Sequence, residues 1–113
     1  MHEFSIVMNI VEIAEQEVRK HEADRVELIV LDIGKLSGVE PAALDFAWDQ
    51  AVLETVLEKA ERKTNYIEGK AHCQECGIEF TIEYVFESCP ACNSYKKELL
   101  AGNELLVKSL TLI

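Results

Sequence analysis

The sequence predicts an α+β fold: two helices packed on a small sheet of about three strands, with a zinc-ribbon domain inserted into the chain. Three observations predict it. Two stretches, residues 6–21 and residues 41 to about 60, repeat apolar side chains at intervals of three and four, the period of one helix face. Three others, 25–36, 64–70 and 103–113, are short runs with branched or aromatic residues next to turn signals. Between the last two of these, the cysteine pairs "CQEC" and "CPAC" frame a stretch that alternates apolar and polar residues.

In the first helix the stripe is Ile6, Val7, Ile10, Val11, Ala14 and Val18, and glutamates occupy the other faces. Arg19, Lys20 and His21 follow where the carbonyl end of the helix dipole favours cations. "RVELIVLDIGKL" is apolar on both pleat faces, which predicts a strand covered at least partly on each side, with the first helix as one cover. Pro41, after "SGVE", suits a first helical position because no amide hydrogen is needed there. Leu44, Ala47, Trp48, Ala51, Val52 and Val56 continue from it as the core stripe of the second helix.

"TNYIEGK" reads as the next strand, and "NELLVKSLTLI" as the last, entered through the Gly102-Asn103 turn signal. In "GIEFTIEYVFES", Ile78, Phe80, Ile82, Tyr84 and Phe86 fall on one side and Glu79, Thr81, Glu83 and Glu87 on the other, the pattern of a half-buried strand. The division that follows is a parent domain of residues 1–70 plus 99–113 and a ribbon of residues 71–98.

A chain of 113 residues has room for one domain and a small appendage. With 11 Lys and Arg against 21 Asp and Glu, its formal charge of -10 repels a phosphate backbone and suits basic partners or metal cations. No run approaches the roughly 20 apolar residues of a membrane span, and no basic flank plus apolar run marks a signal peptide. The expected setting is the cytoplasm, with no nucleic acid and no membrane as partner. There thiols stay reduced, and paired cysteines point to metal.

Cys73 and Cys76 are separated from Cys89 and Cys92 by 12 residues, near the spacing of a zinc ribbon. A two-residue gap folds into a knuckle that aims both sulfurs at one ion, and two knuckles complete a tetrahedral thiolate site. Gly77 and Asn93 follow the knuckles, and both types tolerate the left-handed backbone a tight turn requires. Closed structural zinc competes with a redox dithiol, given the thioredoxin-like look of "CPAC", and with a disulfide pair. From Ala71 to Tyr95 there is no Lys or Arg, while Glu75, Glu79, Glu83 and Glu87 are all present, unlike a ribbon that binds nucleic acid.

At the other end, "MHEFS" offers a metal claw. The α-amine and the His2 amide share one small chelate ring, the His2 imidazole closes the next, and Glu3 can add its amide or carboxylate. Nitrogen donors in a plane suit tetragonal Ni(II) or Cu(II), whereas thiolates suit zinc. The alternative is an idle terminal histidine.

Together, "MHEFS", "GKLSGVEP", the aromatic-rich "LDFAW" helix, "CQEC" and "CPAC" resemble the HypA/HybF family of hydrogenase-maturation nickel chaperones, from end to end of the chain. The resemblance implies a nickel metallochaperone with a two-helix nickel-binding domain, a structural Zn(II) domain and Ni(II) as transported cargo. Implied partners are the HypB GTPase, the NiFe hydrogenase large subunit and, in some organisms, a urease accessory protein. It places nickel ligands on Met1, His2 and Glu3, and zinc ligands on Cys73, Cys76, Cys89 and Cys92. Glu40 matches a position where the family carries an acid, which would put that acid near the claw without making it a ligand. Some relatives carry histidines beside the zinc cysteines, and here only His72 adjoins one.

The rival readings are a zinc-ribbon interaction module without a nickel role and a dithiol redox protein. His21 is accounted for by the helix end, and Trp48 by the core. No Gly-rich phosphate loop or nucleophile elbow is present, and four cysteines closed on one ion leave no open coordination position, so the chain reads as a non-enzyme.

Overall fold

The computed structural model describes residues 3–113. The order is α1 (Glu3–Lys20), β1 (Val26–Gly34), α2 (Pro41–Ala51), β2 (Glu61–Ile67), β3 (Gly69–Cys73), β4 (Glu79–Ile82), β5 (Lys97–Ala101) and β6 (Leu105–Leu112). The strands form two three-stranded sheets, ordered β2-β1-β6 and β4-β3-β5. The chain divides into two compact units. One holds the chain through Leu31, Val39–Thr64 and Val107–Ile113, and the other holds Asp32–Gly38 and Asn65–Leu106.

In the first unit the helical stripes become the core. Val7, Ile10, Val11, Ala14 and Val18 of α1 are buried with Val26, Ile29 and Leu31 of β1 and Leu44, Ala47, Trp48 and Ala51 of α2. Each large side chain removed from water contributes about 1.5–3 kcal/mol, which outweighs the modest intrinsic propensity of a branched-residue helix. β1 alternates fully buried Ile29, Leu31 and Ile33 with half-covered Leu28, Val30 and Asp32, as its two apolar faces predict. Arg62 of β2 lies over the Trp48 ring, 5.0 Å from its centroid, and pairs with Asp45.

α2 ends at Ala51, well short of the expected stop near residue 60. The Thr55 hydroxyl donates to the Val52 carbonyl at 2.7 Å and accepts from the Leu57 amide at 3.1 Å, while the Val56 amide turns to the Glu15 carboxylate at 3.2 Å. These bonds give the backbone partners other than a helix, and Glu54 takes a left-handed φ of 61°. Val52 of the expected stripe is still buried, Val56 is half-buried, and Leu57, outside that stripe, is fully buried, so apolar spacing marked the burial only in part and not the conformation.

The second unit is wider than the 71–98 ribbon expected from the cysteines. What reads as one strand at 64–70 is the end of β2 and the start of β3, separated at Glu68. β3 pairs antiparallel with β4, from Gly69 opposite Ile82 to His72 opposite Glu79, and with β5 on its other side, with a bulge between Lys70 and Ala71. β5 was not foreseen: "KELLA" carries no clean alternation, and its place is set by β3.

The long alternating strand expected over residues 77–88 is also shorter. Only Glu79–Ile82 is strand, because β3 begins at Gly69 and offers no partner beyond Ile82. Tyr84 and Phe86, expected on the buried side, are 57% and 70% exposed.

Three glycines hold the second unit together at close range. The Gly34 amide donates to the Glu104 carbonyl at 2.7 Å and the Leu36 amide to the Gly102 carbonyl at 2.8 Å. A Cβ on Gly34 would fall inside the Gly102 carbonyl, and one on Gly102, whose φ is +111°, would lie 2.7 Å from the Gly69 Cα. Both obstacles are backbone, which cannot rotate away. Gly34→Ala is therefore expected to cost about 3 kcal/mol or more, the upper range for overpacking, read as a fall in the urea midpoint. A midpoint within error of the parent chain would contradict this packing.

Candidate metal centres

β3 ends in the first knuckle, at Cys73. Its amide donates to the Ile78 carbonyl at 2.8 Å and its carbonyl accepts from Gly77 at 3.0 Å, folding Cys73–Gly77 into a closed turn. The second knuckle repeats the pattern: the Cys89 amide donates to the Ser94 carbonyl at 2.9 Å and its carbonyl accepts from Asn93 at 2.8 Å. Gly77 and Asn93 close the two turns with φ of 84° and 63°, the left-handed conformation their residue types predict.

These turns bring all four sulfurs within 4.8 Å of one another, with Cys73 and Cys89 buried and Cys76 and Cys92 exposed. The Cys73 and Cys92 sulfurs are 3.6 Å apart, as are those of Cys76 and Cys89. A tetrahedron with metal–sulfur bonds of about 2.3 Å has sulfur–sulfur edges of about 3.8 Å, so the cage already has the dimensions of a tetrathiolate metal site. A disulfide needs about 2.05 Å, and a dithiol redox centre pairs the two sulfurs of one CxxC. Here the 3.6 Å approaches run between the knuckles, which is the geometry of a shared ion.

Electrostatics point the same way. The Cys76 amide, 3.4 Å from the Cys73 sulfur, favours its thiolate and holds the Cys73 pKa at about 6, against the opposing effect of burial. The Ser94 amide acts in the same sense on Cys92, but residual desolvation and the sulfurs of Cys73, Cys76 and Cys89 outweigh it and push that thiol up to about 12. Cys76 is raised as well: the Ile78 backbone favours its thiolate, and desolvation with the Cys89 and Cys73 sulfurs overrides it. Four sulfurs this close cannot all carry charge unless a cation compensates them, and a divalent ion does so directly. Among the described residues this is the one cluster of three or more His, Cys, Asp or Glu side chains able to converge on a metal.

His72 sits on β3 with Glu79 of β4 and Glu98 of β5 directly across from it, which makes it a cross-strand partner of two carboxylates in the ribbon sheet. His21 pairs with Glu17 one helical turn back, at 3.2 Å.

Of the N-terminal motif, Met1 and His2 lie outside the described residues, and Glu3 opens α1. Its carboxylate accepts from the Glu40 amide at 3.1 Å. Glu40 is the N-cap of α2, and its own carboxylate accepts from the Ala43 amide at 2.7 Å. Two acids thus meet the positive end of one helix dipole, where anions are stabilised. Pro41 occupies the first helical position, as its missing amide hydrogen predicts. An open groove lined by Phe4, Ala43, Phe46 and Ala47 begins beside Glu3. The resemblance put the acid at residue 40 near the claw, and the bond from its amide to the Glu3 carboxylate is what the folded chain adds. The only local signal was an acid before a proline and an apolar run, a helix start.

A family model described as "HypA: Hydrogenase/urease nickel incorporation, metallochaperone, hypA" matches residues 1–112. A protein of Parabacteroides distasonis named hydrogenase maturation factor HypA is 44% identical over 112 residues, spanning 99% of this chain and 97% of that one. A protein of the same name from Prosthecochloris aestuarii is 38% identical, spanning 99% of each. Among solved structures, the solution structure of the Ni metallochaperone HypA from Helicobacter pylori covers 100% of this chain with a TM-score of 0.71 at 24% identity, which establishes a shared fold.

Proposed function

This chain belongs to the HypA family, and from that premise we propose that it carries Ni(II) on Met1, His2 and Glu3 to the large subunit of a NiFe hydrogenase during maturation. In this reading a HypB GTPase is its working partner, a urease accessory protein is a second recipient where the cell makes urease, and the setting is the cytoplasm. Cys73, Cys76, Cys89 and Cys92 hold a structural zinc ion, and no reaction is catalysed.

The observation that carries the proposal is a family match running from residue 1 to residue 112, which takes in the N-terminal motif and both knuckles at once. The chemistry of the two donor sets supports separate roles. Bound zinc supplies cross-linking energy to the ribbon, and a closed thiolate cage leaves no position through which cargo could pass. The N-terminal donors are nitrogens, which favour nickel in a planar site.

Glu3 supports the reading from the protein side. Its carboxylate is held on the Glu40 amide, so the residue next to His2 has a defined place at the start of α2. Its backbone amide is a candidate nitrogen donor at that place. The acids nearby, with the overall charge of -10, favour approach of a divalent cation.

X-ray absorption at the nickel edge of the zinc-loaded chain carrying one equivalent of Ni(II) tests the assignment. The expected spectrum shows only nitrogen and oxygen neighbours at short distance and the pre-edge feature of a planar ion. Sulfur scattering at nickel would transfer the cargo to the cysteine cluster and overturn the N-terminal site.

A further inference from the structure

The loop that replaces the expected end of β4 is built, not frayed. The Glu87 carboxylate accepts from the amides of Glu83 at 2.6 Å and Tyr84 at 2.7 Å, and the Glu87 amide returns to the Tyr84 carbonyl at 3.2 Å. One side chain thereby closes residues 83–87 into a ring. Outside that ring the Tyr84 and Phe86 rings stack, 5.2 Å between centroids and 9° from parallel, with Val85 between them in sequence. Tyr84, Val85 and Phe86 are 57%, 53% and 70% exposed.

A short hydrophilic turn would close this loop at lower cost. Three consecutive apolar side chains turned to water gain nothing for the fold, and contiguous exposed apolar surface on a small domain marks a contact site. The metal cage and the cargo motif make no use of them. The aromatic pair has the features of an interface anchor: large area, few rotatable bonds and a conformation held before any partner arrives.

The surroundings restrict what that partner is. From Ala71 to Tyr95 the chain has Glu75, Glu79, Glu83 and Glu87 and no Lys or Arg, and Lys35, which lines the hollow beside Glu83 and Tyr84, is paired with Glu68 at 3.5 Å, so acids stay in excess around the loop. Two of these acids belong to the loop itself. A second copy of this chain would bring the same acids against one another, so a like pairing is opposed by charge. A cationic surface is favoured by it.

We infer that the Tyr84-Val85-Phe86 loop is a protein-docking knob, which inserts its aromatic pair into an apolar pocket rimmed by Lys and Arg on a different protein. Glu87 acts as the positioning residue that holds the knob in shape. The inference is independent of where nickel binds, since it uses no residue of the cargo motif.

A phage-displayed library of random 16-residue peptides, panned on the full-length zinc-loaded chain, tests it. The expected winners combine aromatic or aliphatic residues with Lys and Arg. As synthetic peptides they should lose about 30-fold or more in affinity for Tyr84→Ser/Phe86→Ser, the size of a hot-spot loss. Against Glu87→Ala, which keeps the rings and removes their brace, the expected loss is about 5-fold, mostly in association rate. Their affinity for the parent chain should also fall with added salt. Zinc content measured on each variant guards against an unfolded ribbon, and substitution of exposed side chains is expected to leave it at one equivalent. Three results would each overturn the inference: peptides that bind the double variant as well as the parent chain, winners without cationic residues, or self-association of the parent chain that the double variant abolishes.

Discussion

Chelating the metal from the four-cysteine cluster, or replacing Cys89 by serine, is expected to unfold β3, β4, β5 and both knuckles while α1 and α2 stay folded. Within Gly69–Ala101 the buried hydrophobic side chains are Ala71, Cys73, Ile82 and Cys89, and two of these four belong to the four-cysteine cluster. So small a set cannot repay the ordering of a ribbon, at about 1–2 kcal/mol of backbone entropy per residue. A structural zinc in comparable small modules supplies about 10–16 kcal/mol, enough to decide folding. The first unit has its own core from α1, β1 and α2 and does not depend on the ion.

Hydrogen exchange followed by mass spectrometry gives the readout. Amides of β3, β4 and β5 should lose protection on metal removal while those of α1 keep it, and ribbon amides that stay protected without metal would refute the account. The sign with pH follows from the thiols. Cys92, pushed up to about 12 by its neighbours in the absence of an ion, gives up its proton when the ion binds, so metal affinity rises with pH and acidification releases the ion.

His2→Ala is expected to weaken nickel binding by more than about 100-fold, beyond the 10–100-fold that loss of an outer-shell partner costs, with zinc content and helicity unchanged. The imidazole closes a chelate ring, and without it the amine and amides are left to hold a borderline ion alone. A residue fused ahead of Met1 turns the amine into an amide and should produce a comparable loss. Since imidazole and α-amine groups ordinarily take up protons near about 6.5 and about 8, affinity for Ni(II) in the parent chain should fall as pH drops through that window. Isothermal titration of the untagged chain and the two variants between pH 6 and 8.5, in roughly half-unit steps across that window, checks all three statements. Undiminished affinity in both variants would remove the site from the terminus.

How much of this was legible in the residues differs element by element. The knuckles were, down to the left-handed Gly77 and Asn93, because a CxxC turn is closed by bonds among residues at most five apart. The burial of Val7, Ile10, Ala14, Leu44 and Trp48 was legible for a related reason, since a helix repeats its faces within one turn. Alternation misled at Tyr84 and Phe86. A period of two states which residues share a side if the strand continues, and β3 stops supplying hydrogen bonds at Gly69. Spacing misled again after Ala51, where Val52 and Leu57 remain core residues in a segment whose hydroxyl and carboxylate bonds have left the helix.

From the order of residues alone come the family, the two cysteine knuckles and the two helices with their inward faces, because each depends on neighbours a few positions apart. The bond from Glu40 to Glu3, separated by 37 residues, belongs to the folded chain. So do the recruitment of Lys97–Ala101 to β3 and the contact of Gly34 with Gly102. Such distant pairs form only after loop closure, and their partners are chosen by which surfaces the already buried stripes bring together.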